Sequence, residues 1–185
     1  MATLPRIYTS DLLAINNKIE LDPQASIHLI KVLRLSLGDE LKLFNGDGCE
    51  YLACIIHAGK KNAEVEITEI LSTESNVSFP LHLGQVISKG DRMDFTIQKA
   101  TELGITDITP LWSERCDVRL KGDRLEKKME HWKKVAISAC EQSGRNHIPT
   151  IHPAMSYSDW ACSVDSDIKL VLHTRDQKSL ADITV

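Results

Sequence analysis

Aromatic residues make up only 5% of this 185-residue chain, so base stacking on aromatic platforms, as sheet-type RNA binders use it, is not the expected mode of recognition. Cysteine offers no framework either. Five are present, with no CxxC pair, and Cys49 and Cys54 lack a nearby second pair of ligands. An odd, unpatterned set fits reduced thiols in a cytoplasmic protein, and no metal site is predicted. No segment nears the roughly 18 continuous apolar residues of a membrane helix, and the start, MATLPRIYTS, has no apolar leader core. A soluble, unexported protein with no membrane partner is expected. GxGxxG and GxxxxGK[ST] are both missing, which leaves Rossmann-type and P-loop sites unsupported. Gly46-Asp47-Gly48 has no following helix to offer a phosphate and reads as a turn. Of seven histidines the closest pair is His147 and His152, without an acidic partner at ligand spacing, so surface or capping roles are expected.

Bulk positive charge is also missing, but the net charge of −4 hides a distribution. Residues 1–72 carry 7 Lys/Arg against 10 Asp/Glu, residues 85–147 carry 12 against 10, and the remainder 3 against 6. A polyanion must therefore be held by local placement of cations and not by a basic coat. Arg6, Arg34, Lys89, Arg92, Arg115, Arg119 and Arg145 fall at or near the ends of expected elements, where loops carry binding residues and the guanidinium fork matches phosphate. Lys121, Lys127, Lys128, Lys133 and Lys134 alternate with acids and read as the solvated face of a helix.

What is present is a change of pattern along the chain. Residues 6–70 alternate in short β segments: Leu41 and Leu43 lead into Asn45-Gly46, suited to a type I′ hairpin turn, and Tyr51, Ala53 and Ile55 follow. A second hairpin is expected from Ile55-Ile56 through residues 59–62 into Val65 and Ile67. One helix interrupts, capped by Asp22 with Pro23 at its first position and Ile27, Ile30 (or Lys31) and Leu33 inward. LSTESNVSFP at 71–80 reads as a linker. Beyond it come a strand at 81–87, a helix at 92–103 capped by Asp91 and stopped at Gly104, a strand at 108–112, and a helix at 124–143 with Leu125, Met129, Trp132, Ala136 and Ala139 inward. Ile148–Ile151, a short helix near 158–162 and the run 168–172 continue this alternation. It is the order of a parallel sheet with covering helices, so an α/β fold preceded by a barrel-like module is predicted.

The helix over 124–143 ends in CEQSGRNHIP, residues 140–149. Gly144 and Pro149 alone would stop it; the acid, amides, arginine and histidine are surplus to capping.

PRIYTS, HLIKVLRL at 28–35, LFNGDG at 43–48, and the stretch from SKGDRMDFTIQKATELGITDITPLWSERC through KKVAISACEQSGRNHIP resemble the ribosomal RNA small-subunit methyltransferase E family. Its members are SPOUT-class enzymes that methylate N3 of one uridine in 16S rRNA from S-adenosylmethionine. The resemblance implies an N-terminal PUA-like, RNA-binding β-barrel at 1–72, a linker at 73–80, and a SPOUT-type α/β methyltransferase domain at 81–185, in a homodimer. It also implies that the chain ends before a Gly-Pro-Glu-Gly-Gly loop and a later segment that form the trefoil knot. A truncated form, inactive by itself, is the expectation. On this resemblance Arg145 neutralises a uridine anion or an adjacent phosphate, and Glu141 orients Arg145 or accepts a proton through water. Gln142 and Asn146 read the base edge, Arg6, Arg34, Lys89 and Arg115 hold RNA, and Leu172 and His173 contact the methyl donor. The alternative is a non-catalytic RNA-binding or ribosome-associating module.

Overall fold

The computed structural model describes residues 4–59, 62–73, 79–114 and 120–172. Two sheets organise them. The first has the order β1 (Arg6–Tyr8), β3 (Glu40–Phe44), β4 (Cys49–Ala58), β5 (Ala63–Thr73) and β2 (Lys18–Glu20). β1 runs parallel to β3 and the other pairs are antiparallel. Alternation fixes the inner face: Leu41, Leu43, Tyr51, Ala53, Ile55, Val65 and Ile67 are buried in one cluster with Ile7, Leu13, Leu21 and Leu29.

Both expected hairpins are present, but the first turn differs. Residues 45–48 form a four-residue connection in which Gly46 and Gly48 have φ of 95° and 92°. A type I′ turn needs positive φ at Asn45 as well, and among the described non-glycines only Asn16 and Arg34 have it. The Asn45 side chain instead accepts a bond from the Asp47 N–H and the Asp47 carboxylate one from the Cys49 N–H, two Asx turns in series. β5 extends through Thr73, paired with Cys49, so the beginning of LSTESNVSFP is strand.

Helix α1 (Pro23–Ile27) starts as expected, with the Asp22 carboxylate accepting from the N–H groups of Gln24 and Ala25. It then widens into a π-turn over His28–Val32. That extra residue rotates the inner face, so Leu29 is the fully buried anchor and Leu33, expected inward, is 40% exposed.

The second sheet is parallel, in the order β6 (His82–Val86), β7 (Asp107–Trp112) and β8 (Thr150–Ile151), with β9 (Met155–Ser156) continuing along β7. Helices α2 (Arg92–Glu102) and α3 (Asp123–Ser143) cover one face. Met93, Ile97, Ile108, Trp132, Ala136 and Ile151 close that core. Asp94 ties the two helices, accepting from Trp132 Nε1 at 3.1 Å and pairing with His131 at 2.6 Å. Asp91 stands at the N-cap of α2, but its side chain makes no capping bond. Helix α4 (Tyr157–Ser163) lies on the opposite face, where Trp160 packs flat on Gly84; a Cβ at Gly84 would stand 2.5 Å from its ring. The run 168–172 forms no strand, and its apolar side chains stand 41% to 101% exposed. An apolar run becomes a buried strand only when neighbours pair and cover it, and among the described residues no strand pairs with this one.

A candidate active site at the junction of the two units

The residues of CEQSGRNHIP lie where the two sheets' units meet. Gly144 takes the left-handed cap at φ 81°, so the helix stops there as the sequence indicates. The polar residues around it face the barrel. Arg6, on β1, reaches across: its Nη1 donates to the Cys140 carbonyl at 2.6 Å and its Nη2 to the Arg145 carbonyl at 3.0 Å and to Asn146 Oδ1. Its Nε pairs with Glu50 at 2.6 Å, and its guanidinium lies 4.1 Å above the Phe44 ring. Tyr8 N–H donates to the Glu141 carboxylate at 3.1 Å, Asn146 Nδ2 donates to the Gly48 carbonyl, and Ile148 lies against Gly46. PRIYTS, LFNGDG and CEQSGRNHIP, three stretches far apart in the chain, thus meet at one junction.

Electrostatics follow from this burial. Burial pushes the Glu50 carboxyl up, but hydrogen bonds and charge from Lys42 and Arg6 outweigh it and hold the group below the usual carboxylate range. Glu141 is shifted the other way: burial raises it, and the Tyr8 N–H and the charges of His28 and Arg6 only partly offset that.

The junction gives three of the expected site residues partners within the chain. Arg6 is not an open RNA contact; its side chain is 8% exposed and fully engaged between the units. Asn146 is 2% exposed and holds the junction. Glu141 turns to the barrel backbone and not to Arg145.

Gln142 is exposed beside the junction, and Arg145 is half-buried. The Arg145 guanidinium lies against Gly104, where an added Cβ would stand 2.7 Å from Nη1. It therefore sits at the C-terminal end of α2, where helix carbonyls favour a cation. Its buried Nε has no hydrogen-bond partner among the described residues. Arg34 and Lys89 are exposed on other surfaces, and Arg115 lies outside the described residues. Leu172 is wholly exposed and His173 lies outside the described residues. Two clefts in the second unit, of about 290 and 250 Å³, are lined by residues other than 168–172.

The larger cleft holds a cluster that sequence reading missed. His152 pairs with Asp107 at 2.7 Å, His82 lies 5.0 Å from His152 ring to ring, and His82 Nε2 meets Thr109 Oγ1 at 2.7 Å and Trp160 Nε1 at 3.4 Å. Indole N–H only donates, so His82 Nε2 is an acceptor and the ring is neutral. Asp107 lies 45 positions from His152, and only the parallel register, which sets His82 beside Asp107 and Asp107 beside Thr150, could have shown the grouping. No group of three or more His, Cys, Asp or Glu suited to a metal occurs among the described residues.

An RNA methyltransferase PUA domain matches residues 21–68 and an RNA methyltransferase domain matches residues 73–185. Fold and match together define the class: a PUA-like module joined to an α/β methyltransferase domain. At the level of relatives, the Ribosomal RNA small subunit methyltransferase E of Buchnera aphidicola subsp. Acyrthosiphon pisum is 35% identical over 98% of this chain and 72% of its own length. The protein of that name from Buchnera aphidicola subsp. Schizaphis graminum is 41% identical over 80% of this chain and 60% of its own. The chain belongs to the ribosomal RNA small subunit methyltransferase E family. Among solved structures, that of the Neisseria gonorrhoeae member, bound to S-adenosyl methionine, matches with TM-score 0.91 and 38% identity over 98% of this chain and 75% of that one. A putative methyltransferase from Legionella pneumophila, in complex with the bound cofactor SAM, matches with TM-score 0.94 and 37% identity over 99% of this chain and 76% of that one. The chain thus spans three fifths to three quarters of the length of these relatives.

Proposed function

We propose that this protein methylates N3 of a uridine in 16S rRNA of the small ribosomal subunit, with S-adenosylmethionine as donor, acting in the cytoplasm as a homodimer of SPOUT type. The observation that carries the reading is family membership along essentially the whole chain, with fold similarity to a relative solved with that donor. S-adenosylmethionine supplies an electrophilic methyl group when bound.

The chain's own contribution is to the acceptor. Uridine N3 carries a proton and ionises only well above neutrality, and its charge then spreads onto O2 and O4. A donor aimed at those oxygens lowers the barrier where charge develops. Arg145 suits that role: it is half-buried and its Nε is without a partner among the described residues. Gln142, exposed beside it, suits a contact to the base edge. Glu141, its pKa raised, suits proton acceptance by its level more than by its position.

The test is methyl transfer from labelled donor to small ribosomal subunits lacking the modification, with the methyl group located by nuclease digestion and mass spectrometry. N3-methyluridine in 16S rRNA is expected. Methylation of another atom, or none, contradicts the proposal. A second reading is a non-catalytic RNA-binding module. Calorimetry with S-adenosylmethionine separates the two: donor binding is expected on the first reading, and its absence favours the second.

A further inference from the structure

Arg34 has φ of +59°, a left-handed backbone that a side chain disfavours and glycine would adopt freely. It ends the π-turn: Leu33 N–H donates to the His28 carbonyl and Leu35 N–H to the Leu29 carbonyl, each at 3.0 Å. This is a Schellman-type ending widened by one residue. Both roots of the tip are fixed. Leu29 is fully buried on one side, and on the other Gly38 N–H donates to the Ile55 carbonyl while Ser36 N–H donates to the Asp39 carboxylate. The tip between them exposes Val32 at 63%, Leu33 at 40% and Leu37 at 68%. The Arg34 side chain is exposed and has no hydrogen-bond or ion-pair partner among the described residues.

We infer that residues 31–37 form a preorganised wedge for unpaired RNA, with Arg34 at its point. The inference rests on the proposed RNA substrate and adds which surface grips it and in what form. In a chain of net charge −4, the stretch 23–38 holds no Asp or Glu and contains His28, Lys31 and Arg34. That is a local complement to a polyanion. Two permanent cations are too few to track a duplex backbone. Unstacked bases accept the face of a guanidinium and the flanks of aliphatic side chains, which is what this tip presents. An arginine kept where glycine would relieve the backbone is the kind of strain that accompanies a binding site.

Binding of the protein to a single-stranded oligoribonucleotide and to its duplex, beside the melting temperature, tests this for Arg34→Gly and Leu37→Ser. Arg34→Gly should raise the Tm by about 2–4 °C while weakening single-strand binding about tenfold, with a smaller loss on duplex. Leu37→Ser, on an exposed side chain, should weaken single-strand binding with the fold intact. Equal losses on both RNAs would make the tip a phosphate contact and overturn the wedge. Unchanged RNA affinity in both variants would make it a face for a protein partner and also overturn it. If the unaltered protein binds neither RNA, the proposed substrate itself fails, a result distinct from the other two.

Discussion

Arg6 shows how far a single side chain departs from its sequence-level appearance. Near the start of the chain it reads as a free cation; in the fold it satisfies two backbone carbonyls, an amide oxygen and a carboxylate. Removing it leaves Glu50 beside Lys42 alone and takes a donor away from the carbonyls of Cys140 and Arg145. Arg6→Ala should therefore cost on the order of 3 kcal/mol in urea unfolding. A loss under ~0.5 kcal/mol, typical of an exposed arginine, would show that the clamp contributes little. The pH dependence has a definite sign. Because the folded pKa of Glu50 is depressed, its contribution is complete above the unfolded carboxylate value and is lost as pH falls through the folded one. Stability of the unaltered protein should fall in that acidic window more steeply than that of Glu50→Gln, measured as midpoint against pH. Gly104→Ala should be costly too, since φ is +100° and the added carbon would meet Arg145. A Tm loss of about 2–6 °C is expected by thermal melting, and an unchanged Tm would mean that Arg145 simply moves aside.

At the scale of elements, the sequence was legible at many points where local chemistry decides the outcome, though not at the Asn45-Gly46 turn or the Asp91 cap. Asp22 and Pro23 start α1, Gly104 and Gly144 end α2 and α3, and alternation marks β3 and β4. It was illegible where a distant partner decides. The π-turn that brings Leu29 inward in place of Leu33, and the absence of a strand at 168–172, depend on packing that no local pattern encodes. Helix α4 offers a test. It is held by Trp160 on Gly84 and by the indole bond to neutral His82, whose pKa is lowered chiefly by burial, with Asp107 opposing and His152 adding to the effect. A depressed histidine keeps its contribution above the unfolded value and loses it as pH falls through the folded one. Trp160 fluorescence should therefore report release of α4 as pH falls below the ordinary histidine range. In Gly84→Ala, where the ring has no room, release should already be present at neutral pH. A Trp160 signal flat from pH 8 to 5 would show that His82 does not hold the helix.

For the whole molecule, the candidate site was legible as a place and not as a set of roles. CEQSGRNHIP stood out because it held more polar groups than a cap requires, and it is indeed where the chain's units meet. Glu141 and Asn146 nevertheless serve the barrel, because their partners Tyr8 and Gly48 lie 133 and 98 positions away and local spacing gives no sign of them. The consequence is that the PUA-like module and the methyltransferase domain are held together through Arg6. Unfolding followed by two probes measures this directly. The three tryptophans, at 112, 132 and 160, all report on the second unit, and the reactivity of the half-buried Cys54 thiol on β4 reports on the barrel. In the unaltered protein the two midpoints should coincide, and in Arg6→Ala they should separate; distinct midpoints before the substitution, or a single transition that survives it, would contradict the coupling.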